Sequence, residues 1–260
     1  LAAEPDQDSA LSVTPLGLLA LVAVLAVVRV ALGIFKGAPV ASGAGERGAP
    51  AARTVLREYL DAFIIAGLVA LLLITFVVRT FFIPTGSMEP TLQIHDVLLV
   101  NEFEYRFTKP HEGDIVVFTP PIVSPNDFIK RTIGLPGDQI RVHQGVVYRN
   151  GVAMNEPYIA ERPNYELEVK NYGVYVDGSP LDPAFANIPP REKWTAQDRI
   201  PDGFYLMFGD HRTNSEDSHA WGFAQASGAF QTGQRKGEKA SFTGHAFLLM
   251  WPLNRIRILH

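Results

Sequence analysis

A serine and a lysine are the residues of this chain whose types and settings offer chemistry. Ser87 lies in Phe81-Phe82-Ile83-Pro84-Thr85-Gly86-Ser87-Met88-Glu89-Pro90-Thr91-Leu92, where two prolines bracket it in a turn rather than a regular element. A serine hydroxyl attacks poorly until a base takes its proton. None of the histidines (95, 111, 143, 211, 219, 245 and 260) stands in an obvious partner motif. A lysine can serve instead once burial has made its amine neutral, because desolvation disfavours the ammonium. Lys130 is that candidate: in Phe128-Ile129-Lys130-Arg131-Thr132-Ile133, strand alternation sends it to one face between apolar neighbours. Arg131 keeps its charge in any environment and is no base. Residue types alone leave the plainer readings open, an ordinary turn serine and a solvent-facing strand lysine.

Other chemistries fail on motif. No serine has glycine at both −2 and +2, so there is no nucleophile elbow, and no Ser-x-x-Lys or His-Glu-x-x-His occurs. His211 and His219 beside Asp210 and Asp217 offer a thin metal set with no further local ligand, and solvated loop histidines are the plainer account. A Ser/His hydrolase using one of these histidines is a third reading. Cysteine is absent, which excludes a disulfide scaffold and a Cys-ligated zinc site. The formal net charge of −4 gives no footprint for nucleic acid.

Strands must position this pair. After Arg79 the helical period disappears and short β-branched runs alternate with turns: 96–100, 114–118, 139–142, 145–149, 204–208 and 246–251. Asn150-Gly151 is the strongest hairpin signal. The reading is a mostly β, antiparallel catalytic domain over 81–260, with residues 155–202, rich in proline and charge, as an irregular insertion.

Residues 1–80 read as a membrane anchor with apolar spans at about 16–34 and 62–78. Arg29, near the end of the first, is expected to snorkel toward the Lys36 side. The 35–59 link carries Lys36, Arg47, Arg53 and Arg57 against Glu46 and Glu58, so the positive-inside rule makes it cytoplasmic. The catalytic domain then lies on the outer, or periplasmic, face of the plasma membrane. Residues 1–13 hold three acids and no basic side chain, unlike a cleaved signal peptide.

Four ordered blocks resemble bacterial signal peptidase I, the membrane-bound leader peptidase with a Ser/Lys dyad. They are 84–92, 113–118, 129–138 and 209–222, the last running Gly209-Asp210-His211-Arg212-Thr213-Asn214-Ser215-Glu216-Asp217-Ser218-His219-Ala220-Trp221-Gly222. The resemblance implies Ser87 as nucleophile and Lys130 as general base. It implies an oxyanion hole from the Ser87 N–H and the Thr85 hydroxyl, and Ser215 as the residue orienting the lysine. Asp210 and Asp217 brace the site, with Arg131 an ionic partner. His211 replaces the usual asparagine, and His219 replaces an arginine, which weakens the inference of an ion pair with Asp217.

The activity so implied is removal of signal peptides after small-x-small sites, with no cofactor and no metal. The partners are secreted preproteins, membrane lipid and the protein-export translocon, and no nucleic acid. A strand-like peptide presents alternate side chains, so the −1 and −3 residues enter two shallow pockets. By position their walls are Phe81, Ile83, Pro84, Met88, Leu92, Phe128 and Ile129. An inactive membrane-tethered peptide-binding protein on the same β fold is the alternative.

Overall fold

The computed structural model describes residues 22–30, 52–76 and 78–259. Two compact units divide the chain, Leu1–Val77 and Val78–His260. In the first, residues 22–30 form helix α1 and Ala52–Phe76 form helix α2. Arg29 and Asp61 join them through two contacts, Nε to Oδ1 at 2.6 Å and Nη2 to Oδ2 at 3.1 Å. Arg29 is thus paired across the helices rather than snorkelling, since two apposed charges gain more from a bidentate contact than from separate reach to water. A Cβ on Gly67 would come within 2.6 Å of the Val22 side chain, so glycine is what allows the close approach.

Among the described residues no helix is long and apolar enough to cross a membrane. Much of the expected span 16–34 lies outside the described residues, as do residues 35–51 of the link, Val77 and the side chains of 72–76. Helix α2 starts ahead of the apolar run and takes in Arg57, Glu58 and Asp61. Val78, assigned above to the second span, instead begins a strand.

The second unit is the expected mostly antiparallel β domain. Its strands are β1 (Val78–Phe82), β2 (Val97–Asn101), β3 (Ile115–Phe118), β4 (Phe128–Gly134), β5 (Ile140–His143), β6 (Val146–Arg149) and β7 (Val152–Ala153). Then come β8 (Leu167–Lys170), β9 (Gly173–Val176), β10 (Ser179–Pro180), β11 (Phe204–Phe208), β12 (Ala224–Gln225), β13 (Phe242–Trp251) and β14 (Arg257–Ile258). The short helix α3 spans Ser218–Trp221. An eight-stranded sheet runs β1-β2-β13-β3-β4-β11-β12 with β14 on β13, and a six-stranded sheet runs β10-β9-β8-β5-β6-β7.

Residues 155–202 are therefore not an irregular insertion. They supply β8, β9 and β10, half of the smaller sheet. Proline and charge hid them: Leu167 and Val169 are buried while Glu168 and Lys170, alternating with them, are half exposed. Such a strand shows only two apolar positions to a sequence reader. Asn150 (φ 53°) and Gly151 (φ 81°) form the two-residue turn that pairs Arg149 with Val152, as the hairpin signal required.

The unbroken apolar runs mark strands buried on both faces. On β11, Phe204, Leu206 and Phe208 enter a core shared with the smaller sheet, whereas Tyr205 and Met207 pack with Val116, Phe118 and Trp221. On β3, Ile115 and Val117 face a further cluster with Ile83, Met88, Leu92, Leu98 and Leu249. Strand β4 lies between β3 and β11. A chain that places a lysine there sets it in the middle of the sheet, away from both edges.

If residues 155–202 contribute to the core, Leu167→Ala lowers stability by about 2–5 kcal/mol. Urea unfolding of the full chain measures this, and a change near zero would return the segment to a surface excursion.

Candidate active site

The local sequence explains the serine turn. Thr85 is extended (φ −132°, ψ 156°) and leads into a single 3₁₀ turn, Gly86–Met88, closed by Glu89 N–H donating to Gly86 O at 3.1 Å. Bonds from Ile83 N to Asp96 O (3.0 Å) and from His95 N to Ile83 O (2.9 Å) tie this loop to the start of β2. The initial N–H groups of such a turn lack partners within it. Among the described residues no protein acceptor serves the Ser87 N–H, and Thr85 makes no side-chain cap. The Ser87 N–H and the Thr85 hydroxyl are thus not engaged by the turn itself.

Lys130 meets that hydroxyl from β4, with Nζ 2.8 Å from Ser87 Oγ. Both residues are buried, at 4% and 8% exposure, which excludes the solvent-facing lysine considered above. In the β3/β4 register Lys130 is opposite Val116, and its Nζ lies 5.3 Å from the centre of the Phe128 ring. Burial is the main cause that pushes its pKa down to about 8, opposed by the charges of Asp217, Glu216 and Asp210.

Arg131 occupies the other face of β4. It makes a bidentate pair with Asp210 (Nε to Oδ1 2.9 Å, Nη2 to Oδ2 2.8 Å), with side chains 2% and 0% exposed. It also donates to Gly113 O at 2.7 Å, and its guanidinium stacks 4.0 Å from the Tyr158 ring. Asp217, fully buried, accepts from Gly209 N at 3.0 Å and lies 2.6 Å from His219 Nδ1. Histidine at 219 keeps a hydrogen-bonding contact with Asp217, which is an ion pair only when the imidazole is protonated, and its ring is stacked on Tyr165 at 4.5 Å. His211 donates its backbone N–H to Ser87 O at 3.2 Å. Among the described residues neither His211 nor His219 has its ring bonded to Ser87 Oγ, and no cluster of three or more His, Cys, Asp or Glu is arranged for a metal.

Ser215 is buried, and its Oγ has no hydrogen-bond partner among the described residues. A Cβ built on Gly209 would lie 2.3 Å from both Ser215 Oγ and Ser87 O. Gly209 therefore lets the Ser87 turn and Ser215 approach closely, a role the sequence blocks did not reveal. The seven residues expected to line pockets separate by depth. Pro84 is exposed, and Phe81, Phe128 and Ile129 are partly buried. Ile83, Met88 and Leu92 are 2%, 1% and 0% exposed and form core beneath the turn, shaping the surface from behind.

Residues of the smaller sheet's connections also reach the site, which the sequence did not disclose. Arg212 donates to Gly209 O at 2.9 Å and pairs with buried Glu156 at 2.6 Å. Thr213 donates twice to Glu161. Glu156, Tyr158 and Glu161 come from the stretch read as irregular, where no periodicity signals a contact across the fold. Glu216 was visible only as the residue between two flagged ones.

Comparison with known proteins gives the family. The family model described as signal peptidase, peptidase S26, matches residues 56–234. A probable signal peptidase I-2 of Synechocystis is 40% identical over 190 residues, covering 71% of this chain and 68% of that protein. A probable signal peptidase I-1 of the same organism is 36% identical, covering 77% and 85%. Signal peptidase I of Pseudomonas aeruginosa is 35% identical, covering 64% and 63%. The chain belongs to the signal peptidase family, peptidase S26.

A methyl at position 209 would displace the Ser87 carbonyl. Gly209→Ala is expected to lower kcat for peptide hydrolysis about a hundredfold. Gly173→Ala, whose Cβ meets nothing closer than 3.7 Å, is the control that stays near wild type.

Proposed function

We propose that this chain is a membrane-tethered serine endopeptidase that removes signal peptides from exported preproteins after small-x-small sites. The observation that carries this reading is the buried Lys130 amine 2.8 Å from the Ser87 hydroxyl, within a chain of the signal peptidase family. In the neutral form Nζ accepts the Ser87 proton while Oγ attacks the scissile carbonyl. The Ser87 N–H and Thr85 hydroxyl take the developing oxyanion, where one donor is worth about 2.7–4 kcal/mol. The lysine then returns its proton to the leaving amine, and the same pair activates the water that hydrolyses the acyl-enzyme. Ser215 Oγ, buried and unpaired, is available to orient the amine. The Arg131–Asp210 pair fixes β4 against the loop that carries Gly209 and Asp217.

The substrate lies extended beside the turn, its main chain supplying affinity and the −1 and −3 side chains meeting Pro84, Phe81, Phe128 and Ile129. Small residues suit these positions, consistent with Met88 and Leu92 being buried in the core rather than open as deep pockets. An inactive binding protein on the same fold has no support: both members of the dyad are present and in contact.

The tether is read as two spans, about 16–34 and from 62 to just before Val78, with the 35–59 link cytoplasmic. The Arg29–Asp61 pair supports a hairpin, since it joins the link-side ends of the two segments. Lipid contact by the β domain is supported by exposed Phe82 and Trp251, which share Val97 as register partner, together with exposed Leu253, Ile256 and Ile258. Arg255 and Arg257 alternate with these apolar residues, a composition suited to an anionic interface. The export translocon is the natural source of the substrate.

Lys130→Ala is expected to abolish cleavage of an Ala-x-Ala preprotein with the fold intact by circular dichroism, and Lys130→Arg to be equally inactive because arginine keeps its proton. Normal turnover by either variant would sink the dyad. Because the working amine is the deprotonated form and its pKa is lowered to about 8, kcat/KM should rise tenfold per pH unit up to about that value and then level. A profile flat from pH 5 to pH 9 contradicts the assignment.

A further inference from the structure

We infer that the His211 imidazole is a positioning residue for the reaction: by holding Gly86 O it fixes the direction of the Ser87 N–H, the donor that receives the oxyanion. The inference rests on the reading of Ser87 as nucleophile. Its geometry stands on three hydrogen bonds. His211 Nδ1 lies 3.2 Å from Gly86 O, Glu89 N–H donates to the same oxygen at 3.1 Å, and the His211 backbone N–H donates to Ser87 O at 3.2 Å. A carbonyl oxygen only accepts, so Nδ1 is the ring nitrogen that carries the hydrogen in this contact.

The Gly86 carbonyl and the Ser87 N–H belong to one planar trans peptide and point in opposite directions from it. Whatever holds the oxygen on one side therefore aims the hydrogen on the other. The next peptide, beyond the Ser87 Cα, is held through Ser87 O by the same histidine. One residue thus grips the peptide groups on both sides of the nucleophile. The turn alone does this weakly. It is a single 3₁₀ turn closed by the Glu89 bond to Gly86 O, and glycine at 86 leaves the backbone free to swing that peptide.

The ring is itself held in place. Ala160 N–H donates to Asp210 O at 3.1 Å, Glu161 and His211 form a parallel bridge, and Asn214 N–H donates to His211 O at 3.0 Å. The Glu161 carboxylate takes the Thr213 N–H at 2.8 Å and its hydroxyl at 2.7 Å, and lies 3.6 Å from His211 Nε2. On the other side Glu89 Oε2 lies 3.7 Å from Nδ1. Both acids border the ring beyond hydrogen-bond distance. Among the described residues Gly86 O is therefore the hydrogen-bond partner of the imidazole.

Two substitutions separate the donor from the ring. His211→Phe keeps the ring and the backbone N–H but removes the Nδ1 donor. His211→Asn sets an amide nitrogen the same number of bonds from the backbone as Nδ1. Full-length protein in proteoliposomes is assayed with an Ala-x-Ala preprotein, and kcat and KM are read separately. A misaimed oxyanion donor weakens the transition state rather than the bound peptide. His211→Phe should therefore lower kcat about ten- to a hundredfold and leave KM within about twofold. His211→Asn should recover kcat to within about threefold of wild type, because it restores the donor. Thermal unfolding is followed in parallel, and His211→Ala is read in the same way if His211→Phe fails to fold. Wild-type kcat in His211→Phe, a loss confined to KM, or an equal loss in His211→Phe and His211→Asn overturns the inference. The underlying reading fails differently: a fully active Ser87→Ala removes the nucleophile itself, whereas an inactive Ser87→Ala beside an unimpaired His211→Phe removes only the role of His211.

Discussion

The enzyme depends on keeping one amine out of water. An ammonium in the middle of a sheet loses its hydration, and among the described residues no carboxylate pairs with it: its hydrogen-bond partner is the Ser87 hydroxyl at 2.8 Å. Burial therefore favours the neutral lysine, and the neutral lysine is the form that can take a proton. The acids at 210, 216 and 217 work against this, which is why the pKa settles near 8 rather than lower. Balance between desolvation and these charges sets how readily the amine gives up its proton.

Much of the surrounding architecture can be traced to that requirement. Strand β4 must be central, so that water reaches Lys130 from no edge, and β3 and β11 flank it. The same strand presents Arg131 on its other face, and a second buried charge needs a full set of partners. Asp210, Gly113 O and the Tyr158 ring provide them. Two neighbouring cations are thus treated oppositely, Arg131 paired with Asp210 and Lys130 without a salt bridge among the described residues. The turn bearing Ser87 is pinned from β2, from the His211 backbone and by the close approach of Gly209, so the hydroxyl has little choice of position.

Strands with unbroken apolar runs, 114–118 and 204–208, were legible because burial on both faces leaves no polar position to dilute the signal. The hairpin at Asn150-Gly151 was legible because two consecutive left-handed residues admit few alternatives. The strands β8 to β10 were not. Their exposed positions carry charge, their lengths are short, and prolines surround them, so their only apolar content is the face turned inward. The contacts of Glu156 and Tyr158 with the site were invisible for the same reason, since each depends on how that smaller sheet lies against the loop at 209–217. Arg29 was misread because its partner, Asp61, is 32 residues away in sequence.

By itself the sequence determined the chemistry available: a turn serine, one lysine among apolar strand neighbours, arginine and aspartates to brace them, and a β domain behind apolar segments. It also determined the family, since ordered motifs survive as text. Whether the lysine is dry, which hydroxyl it touches, and which of the buried acids it feels were decided by tertiary structure alone. The physical reason is that desolvation and electrostatic coupling are properties of an enclosed volume. That volume is bounded here by β3, β4, β11 and the 209–219 loop, segments that lie far apart along the chain and meet only when the sheet closes.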